Sequence, residues 1–104
     1  MEKVLQGDVL CVGGIAHPVL VVSNQEFNQI MEVIVCPVLD DLSPNAIHPM
    51  VTVQQQNTEK KTCIACEHLR HLDLKARKYT KLGSVDISQM MDVCDILIAM
   101  LEYR

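Results

Sequence analysis

The chain has 104 residues, 49% hydrophobic and 21% charged, with a net charge of −4. This apolar share excludes a disordered polymer, no apolar run reaches the roughly 18 residues of a membrane span, and the length points to one domain over residues 1–104. The Met1–Gln6 segment carries Glu2 and Lys3 and lacks the apolar centre of a secretory signal, and five cysteines leave one unpaired in any disulfide scheme, so reduced thiols in a cytoplasm are the simpler reading.

Gly7-Asp8 precedes a β-prone run, Val9-Leu10-Cys11-Val12, and Gly13-Gly14 is a hairpin signal. Pro18 to Ser23 reads as a buried strand, with the proline tolerated at its first residue. Residues 24–28 are polar, a turn or a single helical turn. Glu32 to Val38 is a third strand, and its unbroken apolar run predicts cover on both faces. Pro44, Asn45 and Pro49 make residues 40–49 a loop. A short strand at Met50–Val53 is followed by a polar loop over residues 54–61. Residues 62–72 read as one further strand, with Ile64, Cys66, His68 and Arg70 on one face. Tyr79 to Val85 is expected as a last edge strand, broken at Gly83.

The carboxyl-terminal segment has the clearest periodicity. Asp86 suits an N-cap, and Gln89 completes a capping-box-like pair. Ile87, Met90, Met91, Cys94, Leu97, Ile98 and Leu101 recur at helical spacing as one stripe. Val93, Ile96 and Met100 widen that arc, through deeper burial or contact with a second subunit. Five or six short strands closed by one helix predict a mainly β fold: a small SH3-like barrel or strongly bent antiparallel sheet with a C-terminal helix.

Charge is unevenly distributed. Seven of the nine Lys and Arg residues lie between Lys60 and Lys81, opposed there only by Glu67 and Asp73; elsewhere Lys3 and Arg104 face eleven acids. Such a segment is either a solvated basic loop or a phosphate-binding face. Trp is absent and Phe27, Tyr79 and Tyr103 are the only aromatic residues, so base stacking is not the main binding device.

Cys63-x-x-Cys66 followed by His68-x-x-His71 offers zinc-like ligands. In a strand, however, residues three apart point to opposite faces, which sets metal aside. No helix signal follows Cys66 to activate a redox thiol. No GxGxxG, GKS/T or GxSxG sequence is present, which leaves no nucleotide cradle or serine-hydrolase elbow. What remains is Glu67, Arg70, Lys75, Arg77 and Lys78 near one strand end. A carboxylate base and phosphate-holding cations suffice in type for cleaving RNA without a metal or other cofactor; the same residues also suit a salt-bridged surface.

Several segments together resemble the PemK/MazF family of bacterial toxin–antitoxin systems, also called Kid-like toxins. Gly7-Asp8-Val9 and Pro18-Val19-Leu20-Val21-Val22-Ser23 are similar to its first two strands, and Phe27-Asn28 fits the "FN" after the second. Val35-Cys36-Pro37-Val38 resembles its third strand. Glu67 through Arg77 resembles its "DQ-x-R-(T/S)-(I/L)-D-x-(K/R)-A-R" segment, and the chain from Gly83 into the helix resembles the shared tail. The resemblance implies a compact sheet with a C-terminal helix, a cytoplasmic bacterial homodimer, and metal-independent cleavage of single-stranded RNA. It also implies a small antitoxin partner covering the active groove. The related CcdB toxins, which poison gyrase, end in Trp-Gly-Ile; this chain ends Leu101-Glu102-Tyr103-Arg104.

Four positions depart from the family pattern. The long loop ending in a catalytic Arg before Pro is reduced to Gly13-Gly14-Ile15-Ala16, and His17 precedes Pro18. Leu39 stands at the catalytic Thr. Ala65 and Glu67 stand where Kid-like members carry an Arg and an Asp around the cysteine. The expected catalytic set is therefore Glu67 as general base, His17 as general acid and Arg70 on the phosphate, with Lys75, Arg77 and Lys78 along the RNA path. Weakened or altered cleavage is one expectation, and a catalytically silent dimeric binding module for an antitoxin, another protein or nucleic acid is the other.

Overall fold

A computed structural model describes residues 3–102. Met1, Glu2, Tyr103 and Arg104 lie outside the described residues, and with them the ends on which the leader and carboxyl-tail expectations rest. Seven strands, β1 (Asp8–Val12), β2 (Val19–Val21), β3 (Glu32–Leu39), β4 (Met50–Gln54), β5 (Glu59–Ile64), β6 (Arg70–Asp73) and β7 (Tyr79–Val85), are accompanied by α1 (Gln25–Asn28) and α2 (Ile87–Leu101). Every pairing is antiparallel. The order β2-β1-β7-β4-β5-β3-β6, with β2 also paired to β3, closes the sheet on itself. This is the bent sheet with a C-terminal helix that the sequence predicts. Among the described residues no helix is long and apolar enough to cross a membrane.

The hairpin from β1 to β2 turns at Val12–Ile15, where the Ile15 N–H donates to the Val12 carbonyl (3.1 Å) and Gly14 sits at φ +86°. That left-handed backbone explains the glycine. Strands β1 to β3 carry buried residues on both faces, with Cys11 exposed near the end of β1. Val9, Leu20, Cys36 and Val38 point into a core beneath α2, while Leu10, Val19, Val21, Val33 and Val35 fill a second core with Leu72 and Leu74. Two-sided burial is why these strands read as unbroken apolar runs. The short polar run after β2 forms α1: Asn24 caps it by accepting from the Phe27 N–H, and the buried Asn28 amide donates to the carbonyls of Val4 and Ser23.

Four sequence expectations need correction. First, residues 54–61 are not all loop. Lys60 and Lys61 pair with Val53 and Thr52, and only residues 55–58 turn. The outer arm of this hairpin is solvated, so it lacks the apolar signal of a strand. Second, residues 62–72 are two strands. The run follows β3 throughout, but between the Val38–Ile64 and Val35–Arg70 pairs it uses six residues where β3 uses three. The surplus folds out as a turn at residues 65–69. Third, β7 is an interior strand between β1 and β4. Gly83 does not break it; Leu82 is the bulged residue, skipped between the Val9–Gly83 and Leu10–Lys81 pairs. A Cβ at position 83 would strike the Gln54 carbonyl and lie 2.9 Å from Val53 Cγ1, so glycine allows β4 its close approach.

Fourth, the stripe on α2 is displaced. Asp86 does cap the helix, accepting from the Gln89 N–H at 3.0 Å. The Gln89 side chain instead reaches across to β4 and accepts from the Thr52 N–H at 2.9 Å, so it does not complete the capping box. Met90, Val93 and Leu97 face the core, whereas Ile87, Met91, Ile98 and Leu101 lie exposed.

Candidate active site

Strand β3 brings the distant segments together. On one side the Val38 N–H donates to the Pro18 carbonyl (2.9 Å), fixing the chain just after His17. On the other the Ala65 N–H donates to the Pro37 carbonyl (3.0 Å), fixing the start of the turn at residues 65–69. His17 and Glu67, fifty positions apart in sequence, are thereby hung from adjacent residues of a single strand. Together with Arg70, His68, Leu39 and Pro37 they line a cleft of about 430 Å³. A second cleft of about 300 Å³, bordered by Asp40, Gln55, Lys60 and Thr62, shares His17 and Leu39 with the first.

His17 Nδ1 lies 3.1 Å from the Pro18 carbonyl oxygen. A carbonyl only accepts, so Nδ1 carries a proton and donates, and Nε2 is the nitrogen available for exchange. The Arg70 guanidinium has no hydrogen-bond or ion-pair partner among the described residues. Glu67 is held differently: its Oε2 accepts from His48 Nε2 at 2.7 Å, with His68 Nε2 at 3.9 Å. The His48 hydrogen bond, with a further one from the glutamate's own backbone, keeps the Glu67 carboxyl below the usual carboxylate range against an opposing effect of burial. Glu67 is therefore ionised throughout the neutral range.

The remaining basic residues lie elsewhere. Lys75 Nζ donates to the Ile30 carbonyl (3.2 Å) and sits 3.7 Å from Glu32 and 3.6 Å from Asp73, at the far end of the β3–β6 pair. Arg77 donates to the Gly13 carbonyl (3.1 Å), bracing the turn that leads to His17. The Lys78 carbonyl accepts from the Gly13 N–H on the same turn. None of the three lines either cleft. Leu39 presents a hydrocarbon surface to both clefts, and Ala65 is buried in the turn beyond the end of β5. Cys63 and Cys66 are buried free thiols, and among the described residues no three His, Cys, Asp or Glu side chains are grouped to hold a metal ion.

Sequence reasoning missed His48 and the residue behind it, Asn45. No spacing rule links position 48 to position 67. The available signal was a histidine in a short segment pinned between Pro44 and Pro49, which a rigid turn can aim.

Among solved structures, the fold is similar to MazF in the MazE–MazF complex of Deinococcus radiodurans, with 19% identity, a TM-score of 0.79 and cover of 97% of this chain and 98% of that one. It is similar to an endoribonuclease from a mycobacterial species, at 19% identity and TM-score 0.75, covering 97% and 93% of the two chains. It is also similar to the Mycobacterium tuberculosis toxin MazF-mt6, at 14% identity and TM-score 0.70, covering 94% and 98%. No curated protein sequence matches the chain. At these identities the structural likenesses establish the fold, and the family follows from sequence: the model of the PemK-like, MazF-like toxins matches residues 12–101. With the fold, the strand motifs and this match in agreement, the chain belongs to the PemK-like, MazF-like toxin family of type II toxin–antitoxin systems.

Proposed function

We propose that this chain is a metal-independent endoribonuclease of weakened or altered activity, cleaving single-stranded RNA. The observation that carries the reading is the shared cleft: Glu67, His17 and Arg70 line the same concavity although they come from two distant segments. Glu67 takes the proton of a ribose 2′-hydroxyl, and the 2′-oxygen bonds to the adjacent phosphorus. The bond from phosphorus to the 5′-oxygen breaks, and His17 Nε2 delivers a proton to that oxygen. Arg70 offsets the charge that builds on the phosphorane. His17 keeps its Nδ1–H···O=C bond in both protonation states, so only Nε2 exchanges.

The same geometry accounts for reduced strength. A carboxylate with a lowered pKa is a weaker base. Leu39 gives no hydrogen bond to a phosphate. Lys75, Arg77 and Lys78 lie outside the cleft, Lys75 beside Glu32 and Asp73 and Arg77 on the Gly13 carbonyl, so their part in this reading is long-range attraction of the RNA backbone. In this reading residues 1–104 act as one domain, as a homodimer in the bacterial cytoplasm, and a small antitoxin partner occupies the cleft. Antitoxin complexes among the structural relatives support that partner; one is an endoribonuclease bound to its cognate antitoxin.

Mixed-sequence RNA incubated with purified protein, with and without chelator, tests the reading. Cleavage in both arms is expected, and RNA left intact at high enzyme excess would sink it. The second reading, a catalytically silent module that binds the antitoxin, is favoured by Leu39 in the cleft and the buried Ala65. Capture of a small antitoxin with RNA left whole would establish it.

A further inference from the structure

The loop between β3 and β4 is ordered by its own side chains. Asn45 Oδ1 accepts from the backbone N–H groups of Ile47 and His48, both at 2.9 Å. The backbones of Asn45 and His48 also pair with each other. Two donors on Oδ1 fix the orientation of the amide, so the NH₂ group is the end that faces His48 Nδ1, at 3.1 Å. An amide NH₂ only donates, so Nδ1 accepts and the imidazole proton resides on Nε2. That N–H is the one directed at Glu67 Oε2, 2.7 Å away. The loop grips the same turn and the end of β5 through its backbone: the Cys66 N–H donates to the Ile47 carbonyl (3.3 Å) and the Ile64 N–H to the Pro49 carbonyl (3.1 Å).

We propose that Asn45 and His48 form a positioning relay that fixes the Glu67 carboxylate in the cleft by its Oε2 atom and leaves Oε1 to meet the substrate. His48 is mostly covered, with 15% of its side chain exposed, and stands behind Glu67 rather than beside the substrate. It acts through Glu67, as the orienting partner of a catalytic side chain does. The charged and titratable groups around Glu67 are His48 from the loop, His68 and Arg70 from its own segment, and His17 across the cleft. Behind it lie the thiols of Cys36 and Cys66. Of these, His48 lies nearest, at 2.7 Å against 3.9 Å for His68, and the lowered Glu67 pKa accords with that contact.

The relay rests on the reading of Glu67 as the proton acceptor, and its test has a part that does not depend on cleavage. Nitrogen NMR of the wild type should show His48 with its proton on Nε2 and none on Nδ1. The Glu67 side-chain carboxyl, followed by carbon NMR, should titrate below the ordinary glutamate range. In His48→Ala that midpoint should move up, and in His48→Gln it should return towards the wild-type value, because the glutamine amide restores a donor near the place of Nε2. The acid limb of the cleavage rate should move with the midpoint. In His48→Ala kcat should fall about ten- to a hundredfold with KM little changed, the range typical of lost orienting partners. Asn45→Ala, which leaves His48 in place, should weaken both effects in the same direction and serves if His48→Ala does not fold. A Glu67 midpoint that stays put in His48→Ala overturns the relay whether or not RNA is cut. So does an unchanged kcat in an active, folded His48→Ala. Intact RNA with wild type defeats the nuclease reading alone, and the carboxyl titration then decides the positioning of Glu67 by itself.

Discussion

The barrel interior beneath α2 and the cleft at its rim are built on opposite plans. The interior is redundant: Val9, Leu20, Cys36, Ile64, Val85, Met90 and Val93 share one apolar cluster in which no single contact fixes the geometry. The cleft depends on a few directed bonds. Glu67 is set by His48, His17 by the Pro18 carbonyl, and the turn before His17 by Arg77. Damage to the interior should therefore appear as lost stability, and damage to the rim as lost chemistry.

Met90→Ala gives the largest expected effect on the first side. Met90 is buried on the inner face of α2, and emptying that space should cost about 2–5 kcal/mol in denaturant unfolding. Cleavage per folded molecule should be unchanged, and a selective fall in that rate would break the division. Arg70→Ala is the counterpart. Its exposed guanidinium has no partner among the described residues, so unfolding should shift by less than about 0.5 kcal/mol. Under the proposed mechanism, which gives Arg70 the transition-state charge, kcat should fall about a hundredfold or more, corresponding to about 2.7–4 kcal/mol. Similar rates for wild type and Arg70→Ala would remove Arg70 from the chemistry.

The same contrast explains what could be read from the sequence. Strands β1 to β3 were legible because burial on both faces makes them apolar throughout, and α2 because Asp86 and a 3.6-residue period mark it. The outer arm of the β4–β5 hairpin was not, because Gln54, Glu59, Lys60 and Lys61 face solvent and look like loop. The break in residues 62–72 depends on pairing to β3, a long-range fact that local alternation does not encode. In the cleft, His17, Glu67 and Arg70 were found through motif positions. Asn45 and His48 were not, since their part comes from a turn geometry and a contact across nineteen residues.

The pH response should separate the two regions by sign. In the interior, burial pushes the Cys36 thiol up to about 12 and that of Cys66 up to about 11. Unfolded thiols ionise near 9, so above that value the unfolded chain releases protons that the folded chain retains, and stability falls as pH rises from about 9 towards 12. At the rim the order is reversed. Lys60 and Thr62 hold the Asp40 carboxyl below its ordinary range, as His48 does for Glu67. Their contribution is present above the unfolded carboxylate pKa and is lost as pH falls through the lowered values. Denaturant midpoints measured from acid to alkali should decline at both ends. Cys36→Ala should flatten the alkaline decline and leave the acid one, while His48→Ala should do the reverse. An alkaline decline unchanged in Cys36→Ala would remove the buried thiol as its cause.

The smallest expected effect tests the boundary of the interior on the helix itself. Ile98 belongs to the stripe that periodicity assigns to the core, yet it is 66% exposed, while Val93 is fully buried. The displacement has a physical cause: eleven apolar residues spread over more than half the circumference of α2, so period alone does not select which arc faces inward. Burial of Met90, Val93 and Leu97 selects the inner arc, and the Thr52 N–H donating to Gln89 Oε1 is one further contact made in that rotation. Ile98→Ala, measured on the single chain at high dilution, should therefore change unfolding by less than about 0.5 kcal/mol. A loss of 2 kcal/mol or more would show the outer arc to be as well covered as the inner one, and the interior would then extend around the helix instead of ending at Leu97.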